Sequence, residues 1–166
     1  HRLLEARAAE PRHGLALRLA LDDATFGKLM VGYATDDPKG VILFVSSAGG
    51  WNTELTVTAK AVAELDYVVA SIDLNDYLTR LDRAETACAD PAADLDQLNR
   101  LIEERYPIAT HQPPILLGYG AGAALTYAAL AQGPDDRFHA GVGVDFCPEL
   151  PLRKPLCMGV AHLEST

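Results

Sequence analysis

The chain has 166 residues, 49% hydrophobic and 22% charged, which is enough to bury one sizeable core and makes a single globular domain the default reading. With 23 acidic against 14 basic residues, a formal charge of -9 and no basic run longer than Arg153-Lys154, it lacks the concentrated Lys and Arg that phosphate backbones and anionic membrane surfaces require. No apolar run reaches the roughly 18 residues of a transmembrane helix, so neither nucleic acid nor a membrane span is expected. The opening at His1 instead of Met, without a basic-then-apolar leader, reads as a mature or trimmed chain.

Residues 1–13 form a polar, mixed lead-in read as frayed, and 14–166 read as one domain. Segments 14–20 and 28–34 predict an antiparallel opening pair, followed by turn chemistry at Asp36-Asp37-Pro38-Lys39-Gly40. VILFVSS (41–47) is the near-continuous apolar run of a strand buried on both faces. Asn52 is placed to cap a helix carrying Leu55, Ala59, Val62 and Leu65 at helical spacing. YVVASID (67–73) predicts a second buried strand, and a second helix is expected from Pro91 through Leu95, Leu98, Ile102 and Tyr106. PILLGYG (114–120) predicts a third strand, AGAALTYAALAQ (121–132) a third helix stopped by Gly133-Pro134, and HAGVGVDF (139–146) a fourth strand. The alternation makes the fold class α/β: a mostly parallel sheet with flanking helices behind an antiparallel amino-terminal strand pair.

The chemistry-bearing segment is Gly118-Tyr119-Gly120-Ala121-Gly122, between a strand and an Ala-rich helix. α/β-Hydrolases carry their nucleophile on such a turn within G-x-S-x-G, where flanking glycines admit close approach of strand and helix. The spacing and context match, yet Gly120 stands at the nucleophile position and offers no oxygen or thiol. A dinucleotide-binding turn is the competing reading: Ala123 stands at its third glycine, and Asp145 is the nearest equivalent of its acidic residue. A plain glycine-rich turn is the third. The loop Ser46-Ser47-Ala48-Gly49-Gly50-Trp51 follows the first parallel strand, where this fold supplies an oxyanion-hole amide. Ala48, Gly49, Gly50 and Ala121 are therefore the oxyanion-hole-like candidates, and Trp51, Asp73, Tyr77 and Tyr119 the pocket-lining ones, with packing the stronger role for Trp51, Asp73 and Tyr77.

The AGGW loop after VILFVSS and GYGAGAALTYA after PILLGY resemble the VirJ/AcvB family of bacterial virulence proteins. FCPELPLRKPLC is similar to the amino-terminal, non-catalytic domain of its two-domain AcvB members, and the similarity covers about Val41 to Cys157. The resemblance implies a periplasmic α/β-hydrolase fold and a family that hydrolyses aminoacyl-phosphatidylglycerol esters. It implies that the active triad lies on a carboxy-terminal catalytic domain of the same polypeptide, with a lipid headgroup as the ligand class. At Gly120 the family's serine is missing.

No other triad member has a convincing position. After Gly120 the acids are Asp135, Asp136, Asp145, Glu149 and Glu164 and the bases His139 and His162; Asp145, ending a strand, is the best placed, and His139 belongs to the opposite edge. No catalytic residue is assigned, and neither cofactor nor metal is expected. The favoured function is a degenerate hydrolase domain with a docking or ligand-binding role; the alternative is a serine-independent esterase or lipid hydrolase, for which Cys88 and Cys147 are the thiols to consider. Cys147 and Cys157 flank a Pro-rich loop and are either bridged, pointing to an oxidising compartment, or isolated buried thiols.

Overall fold

The computed structural model describes residues 18–106, 108 and 110–159. The predicted lead-in, residues 14–17, His162 and Glu164 lie outside the described residues. Among the described residues six strands form one sheet: β1 (Arg18–Asp23), β2 (Gly27–Gly32), β3 (Val41–Val45), β4 (Val68–Ile72), β5 (Ile115–Tyr119) and β6 (Ala140–Val144). Their spatial order is β1-β2-β4-β3-β5-β6. β1 and β2 pair antiparallel, β2 joins β4 antiparallel, and β4, β3, β5 and β6 run parallel. The opening pair sits a few residues away from its predicted bounds. Its turn is fixed by Asp23, whose Oδ1 accepts the backbone N–H of Thr25 and Phe26.

Two apolar layers sandwich the sheet, and strand alternation assigns the residues to them. On one face α1 (Thr53–Ala63) packs Leu55, Ala59 and Ala63 on Ile42, Phe44, Val69 and Leu117. Asn52 caps α1 as predicted, its side chain accepting the Leu55 N–H. The helix ends before Leu65, which is 61% exposed, and Ala63 takes the expected buried place. On the other face lie α2 (Leu74–Arg83), α3 (Pro91–Arg105) and α4 (Ala121–Gln132), covering Leu43, Val45, Ala70, Ile72 and Leu116. Pro91 opens α3 behind the N-cap Asp90, and Tyr106 is the residue that closes it.

α2 replaces a segment expected to be loop. Leu74, Tyr77, Leu78 and Leu81 form a buried stripe at helical spacing, and Asp73 caps the helix by accepting the N–H groups of Asn75 and Asp76. Tyr77 is fully buried, stacks on Phe26 with ring centroids 4.9 Å apart and donates its hydroxyl to Asp94 at 2.8 Å. It is not part of the lining of the elbow cleft, and its role is packing. Burial, with the Asp94 carboxylate beside it, pushes the Tyr77 phenol far above its ordinary range.

Asp94 is itself shifted up, first by burial and against the stabilising Tyr77 hydrogen bond. A carboxyl whose folded-state pKa is raised binds more protons folded than unfolded, so its contribution to stability falls as pH rises from the ordinary carboxylate range through the raised value. Asp94→Asn keeps an acceptor for Tyr77 and removes that proton. Urea unfolding of both proteins across this window should show the variant gaining on the native protein as pH rises; parallel curves would refute the shift.

The disulfide joins Cys88 and Cys157, with Cα atoms 5.0 Å apart, and Cys147 is free. The possible Cys147–Cys157 bridge is thus corrected, since Cys157 is bridged but to Cys88. The chain after β6 leaves the elbow and runs back to the start of α3, where Ala89 donates to Pro155 and Cys157 donates to Ala89. That short parallel ladder sets Cys88 beside Cys157. The Gln132 side chain clamps it by donating to the carbonyls of Ala89 and Cys157. Lys154 adds a third anchor, donating to the carbonyls of Leu81 and Ala84 at the end of α2.

Candidate functional site

The carboxyl ends of β3 and β5 meet at the predicted turn. Gly120 is the residue between β5 and α4, with φ 58° and ψ -122°, a backbone region open to glycine and costly for other residues. Gly118 and Gly122 are required by contact: a Cβ on Gly118 would overlap Gly122 and the Ala123 Cα, and one on Gly122 would overlap the carbonyls of Val45 and Ser46. The elbow therefore lets α4 start directly against the end of β3. Sequence reading placed this geometry at the right residues.

The AGGW loop faces Gly120 across an open cleft of about 690 Å³. Ser47, Ala48 and Gly49 line one side, Gly120 and Ala121 the floor, and Cys147, Pro148, Glu149, Leu150 and Pro151 the other wall. Ala48, Gly49 and Ala121, three of the oxyanion-hole candidates, are brought together here. Gly50 is not among them: its N–H donates to the Ser47 carbonyl at 3.0 Å, closing a turn inside the loop, and the residue is buried at φ 81°.

Asp73 organises the loop from beneath. Its Oδ2 accepts the Trp51 N–H at 2.9 Å while Oδ1 caps α2, and a Cβ on Gly50 would stand 3.1 Å from that carboxylate. Asn75 holds the Ala48 carbonyl at 2.9 Å, and the buried Ser46 hydroxyl accepts the Leu74 N–H. Trp51 packs edge-on against Phe44 and donates its indole N–H to Thr56. Asp73 and Trp51 thus support the cleft without lining it. Sequence reading missed Ser46 and Asn75; their legible signal was position, one at the end of a predicted strand and the other two residues after Asp73, a residue type that caps helices.

Tyr119 also stands outside the cleft lining. Its hydroxyl lies 3.5 Å from Asp145 Oδ2, and the Asp145 charge, with Glu54 adding the same sign, holds the phenol above its ordinary range. Asp145 follows β6 at φ 54°, and His139 sits just before the same strand, at the opposite end of the sheet from the elbow. The two do not meet. Cys147, at the start of the Pro-rich loop after β6, reaches the cleft wall and donates its N–H to the Gly120 carbonyl at 3.3 Å. Among the described residues the lining holds no histidine, and no group of three His, Cys, Asp or Glu side chains is arranged to hold a metal ion. No helix among them is long and apolar enough to cross a membrane.

No family model matches the chain, and no curated protein matches it in sequence. Among solved structures it is similar to an "Alpha/Beta hydrolase fold protein of unknown function", at 15% identity and a TM-score of 0.50, over 81% of this chain and 44% of that one. The fold is α/β-hydrolase-like. Identity this low carries the architecture and not the activity. The chain spans less than half the length of that neighbour.

Proposed function

We propose that this chain is a non-catalytic α/β-hydrolase-like domain that holds a ligand in the elbow cleft and leaves ester hydrolysis to a separate catalytic domain, as the VirJ/AcvB resemblance implies. The observation that carries this reading is Gly120: the elbow keeps its strained geometry while the residue at its apex has no nucleophile. The backbone of Ala48, Gly49 and Ala121 around an open cleft suits an anionic or carbonyl oxygen, and a lipid headgroup bearing an ester is the ligand class the resemblance suggests. A periplasmic setting accords with the Cys88–Cys157 disulfide, since such bonds persist in oxidising compartments. The test is to incubate the purified chain with aminoacylated phosphatidylglycerol vesicles and with a p-nitrophenyl ester. Hydrolysis of both should equal the buffer rate, while the lipid perturbs the amide resonances of Gly49 and Ala121; turnover of either ester refutes the reading.

Gly120→Ser extends that test. A Cβ there meets only Ser47, with its Cβ 3.3 Å away, so the cost is mainly backbone strain, about 1–3 kcal/mol. The variant should fold, melt lower and remain inactive, because the cleft lining supplies no histidine to activate the new hydroxyl. Ester turnover by it would reveal an acid–base pair outside these residues.

One observation favours a second reading, a serine-independent esterase: Cys147, a free cysteine, belongs to the cleft wall. In that case iodoacetamide would modify Cys147 and abolish a measurable esterase activity. An unmodified Cys147, or modification of an already inactive protein, removes this reading.

A further inference from the structure

The half-buried Cys88–Cys157 disulfide opens onto a cavity of about 350 Å³ between the β1–β2 turn, the end of α2 and the start of α3. Both cysteines line it, beside Thr25, Arg80, Thr86 and Asp94. A space of that size admits a small molecule. A disulfide that a thiol can reach is of the labile class, unlike one sealed in a core.

The bridge holds the far end of a strap. From Asp145 to Gly159 the chain forms no helix or strand, and its one ladder contact is the isolated bridge of Leu156 to Ala89. At the near end Cys147 is tied to the Gly120 carbonyl, and Cys147 to Pro151 wall the elbow cleft. At the far end the disulfide is the covalent tie. The others are hydrogen bonds to Ala89, Gln132 and the end of α2, and the exposed pair of Arg153 with Asp82. Such polar ties exchange for water at little net cost, which a covalent bond does not do. Leu150 joins the two ends mechanically: it lines the cleft and also packs, partly buried, against the main core.

We propose that the Cys88–Cys157 disulfide is a redox latch on the elbow cleft: a small dithiol opens it through this cavity, and the strap then loosens and takes the cleft wall with it. One thiolate of the dithiol attacks a bridge sulfur, forms a mixed disulfide and expels the other cysteine as a thiolate, which takes up a proton. The second thiol of the dithiol gives up its proton and attacks the mixed disulfide. The dithiol leaves as a cyclic disulfide, oxidised by two electrons, and Cys88 and Cys157 both end as thiols. In an oxidising compartment the latch rests closed until such a donor reaches it. The latch regulates the cleft proposed above to hold a ligand and rests on that reading for its use, while the movement of the wall is measured without ligand.

The experiment measures backbone amide order parameters on the chain, oxidised and after dithiothreitol without denaturant, and on Cys88→Ser with Cys157→Ser, which needs no reductant. In both opened forms the amides of Glu149, Leu150 and Leu152 should fall below about 0.6, while Leu43 and Val45 in β3 stay near about 0.85. A bridge that dithiothreitol reduces only in denaturant, a wall that stays rigid once the bridge is open, or β3 losing order together with the wall would each overturn the proposal. Vesicles of aminoacylated phosphatidylglycerol form the second arm, read on Gly49 and Ala121. Reduction should weaken their binding about fivefold or more. Equal binding in both states overturns the latch as a regulator. No binding in either state refutes the ligand reading alone, and the wall measurement still decides whether the disulfide is a latch.

Discussion

Gly122→Ala is expected to abolish cooperative folding. Gly122 lies in the first turn of α4, and helix propensity alone predicts a gain of about 1 kcal/mol for Ala over Gly at a helical site. Space decides the sign the other way. The added methyl would overlap the carbonyl oxygens of Val45 and Ser46, which are backbone atoms at the end of the central strand β3 and have no rotamer with which to retreat. α4 would have to lift off β3, separating Ala121, Leu125 and Ala129 from the core they share with Leu43 and Leu116. An overlap of this kind belongs to the rare substitutions that cost more than about 4 kcal/mol. Soluble expression, far-ultraviolet circular dichroism and urea unfolding measure it. If the variant unfolds cooperatively within about 1 kcal/mol of the native protein, the close approach that defines the elbow does not exist. Gly120→Ser, two residues away, serves as the internal contrast: strained yet foldable.

Removing the disulfide has the second large effect. Cys88 and Cys157 are separated by 69 positions, and closing a loop of that size restricts the unfolded chain enough to contribute about 2–4 kcal/mol. Replacing both by Ser should lower the melting temperature by roughly 5–15 °C, with Cys147→Ser changing it little. The single variants Cys88→Ser and Cys147→Ser separate the two pairings, because only a Cys147–Cys157 bridge would make Cys147→Ser the more destabilising of the two. A functional consequence follows from the path of the chain. The segment pinned by Cys157 begins at the elbow, and its residues Cys147 to Pro151 form one wall of the cleft. Once unpinned, it is held at that end by the Ala89 and Gln132 hydrogen bonds and by Lys154. The double variant should therefore show faster iodoacetamide modification of Cys147, a readout independent of thermal stability.

The elements that the sequence announced share one property: their signal is local. β3, β4 and β5 are near-continuous apolar runs, α1 has its cap at Asn52, and α4 runs along an Ala-rich stretch from the elbow to Gly133. α2 was missed although its stripe of Leu74, Tyr77, Leu78 and Leu81 is regular, because a short polar helix directly after a strand resembles the loop edge where ligands bind. Tyr77 then passed for a pocket residue, when Asp94, seventeen positions on, takes its hydroxyl into the core.

By itself the sequence determined the α/β alternation, the antiparallel entry and the elbow without a nucleophile, since each follows from residue type and spacing within a few positions. Chain folding decided what depends on distant segments meeting. Cys157 bonds to Cys88 because a ladder between Ala89 and Leu156 sets them side by side, and no spacing rule contains that ladder. Gly50 leaves the oxyanion set because its own loop consumes its N–H, and Cys147 enters the cleft because the chain after β6 turns back past Gly120. Asp73, read as lining a pocket, is the residue on which the AGGW loop rests: one carboxylate spans a helix start and a loop that lie 22 positions apart in the chain.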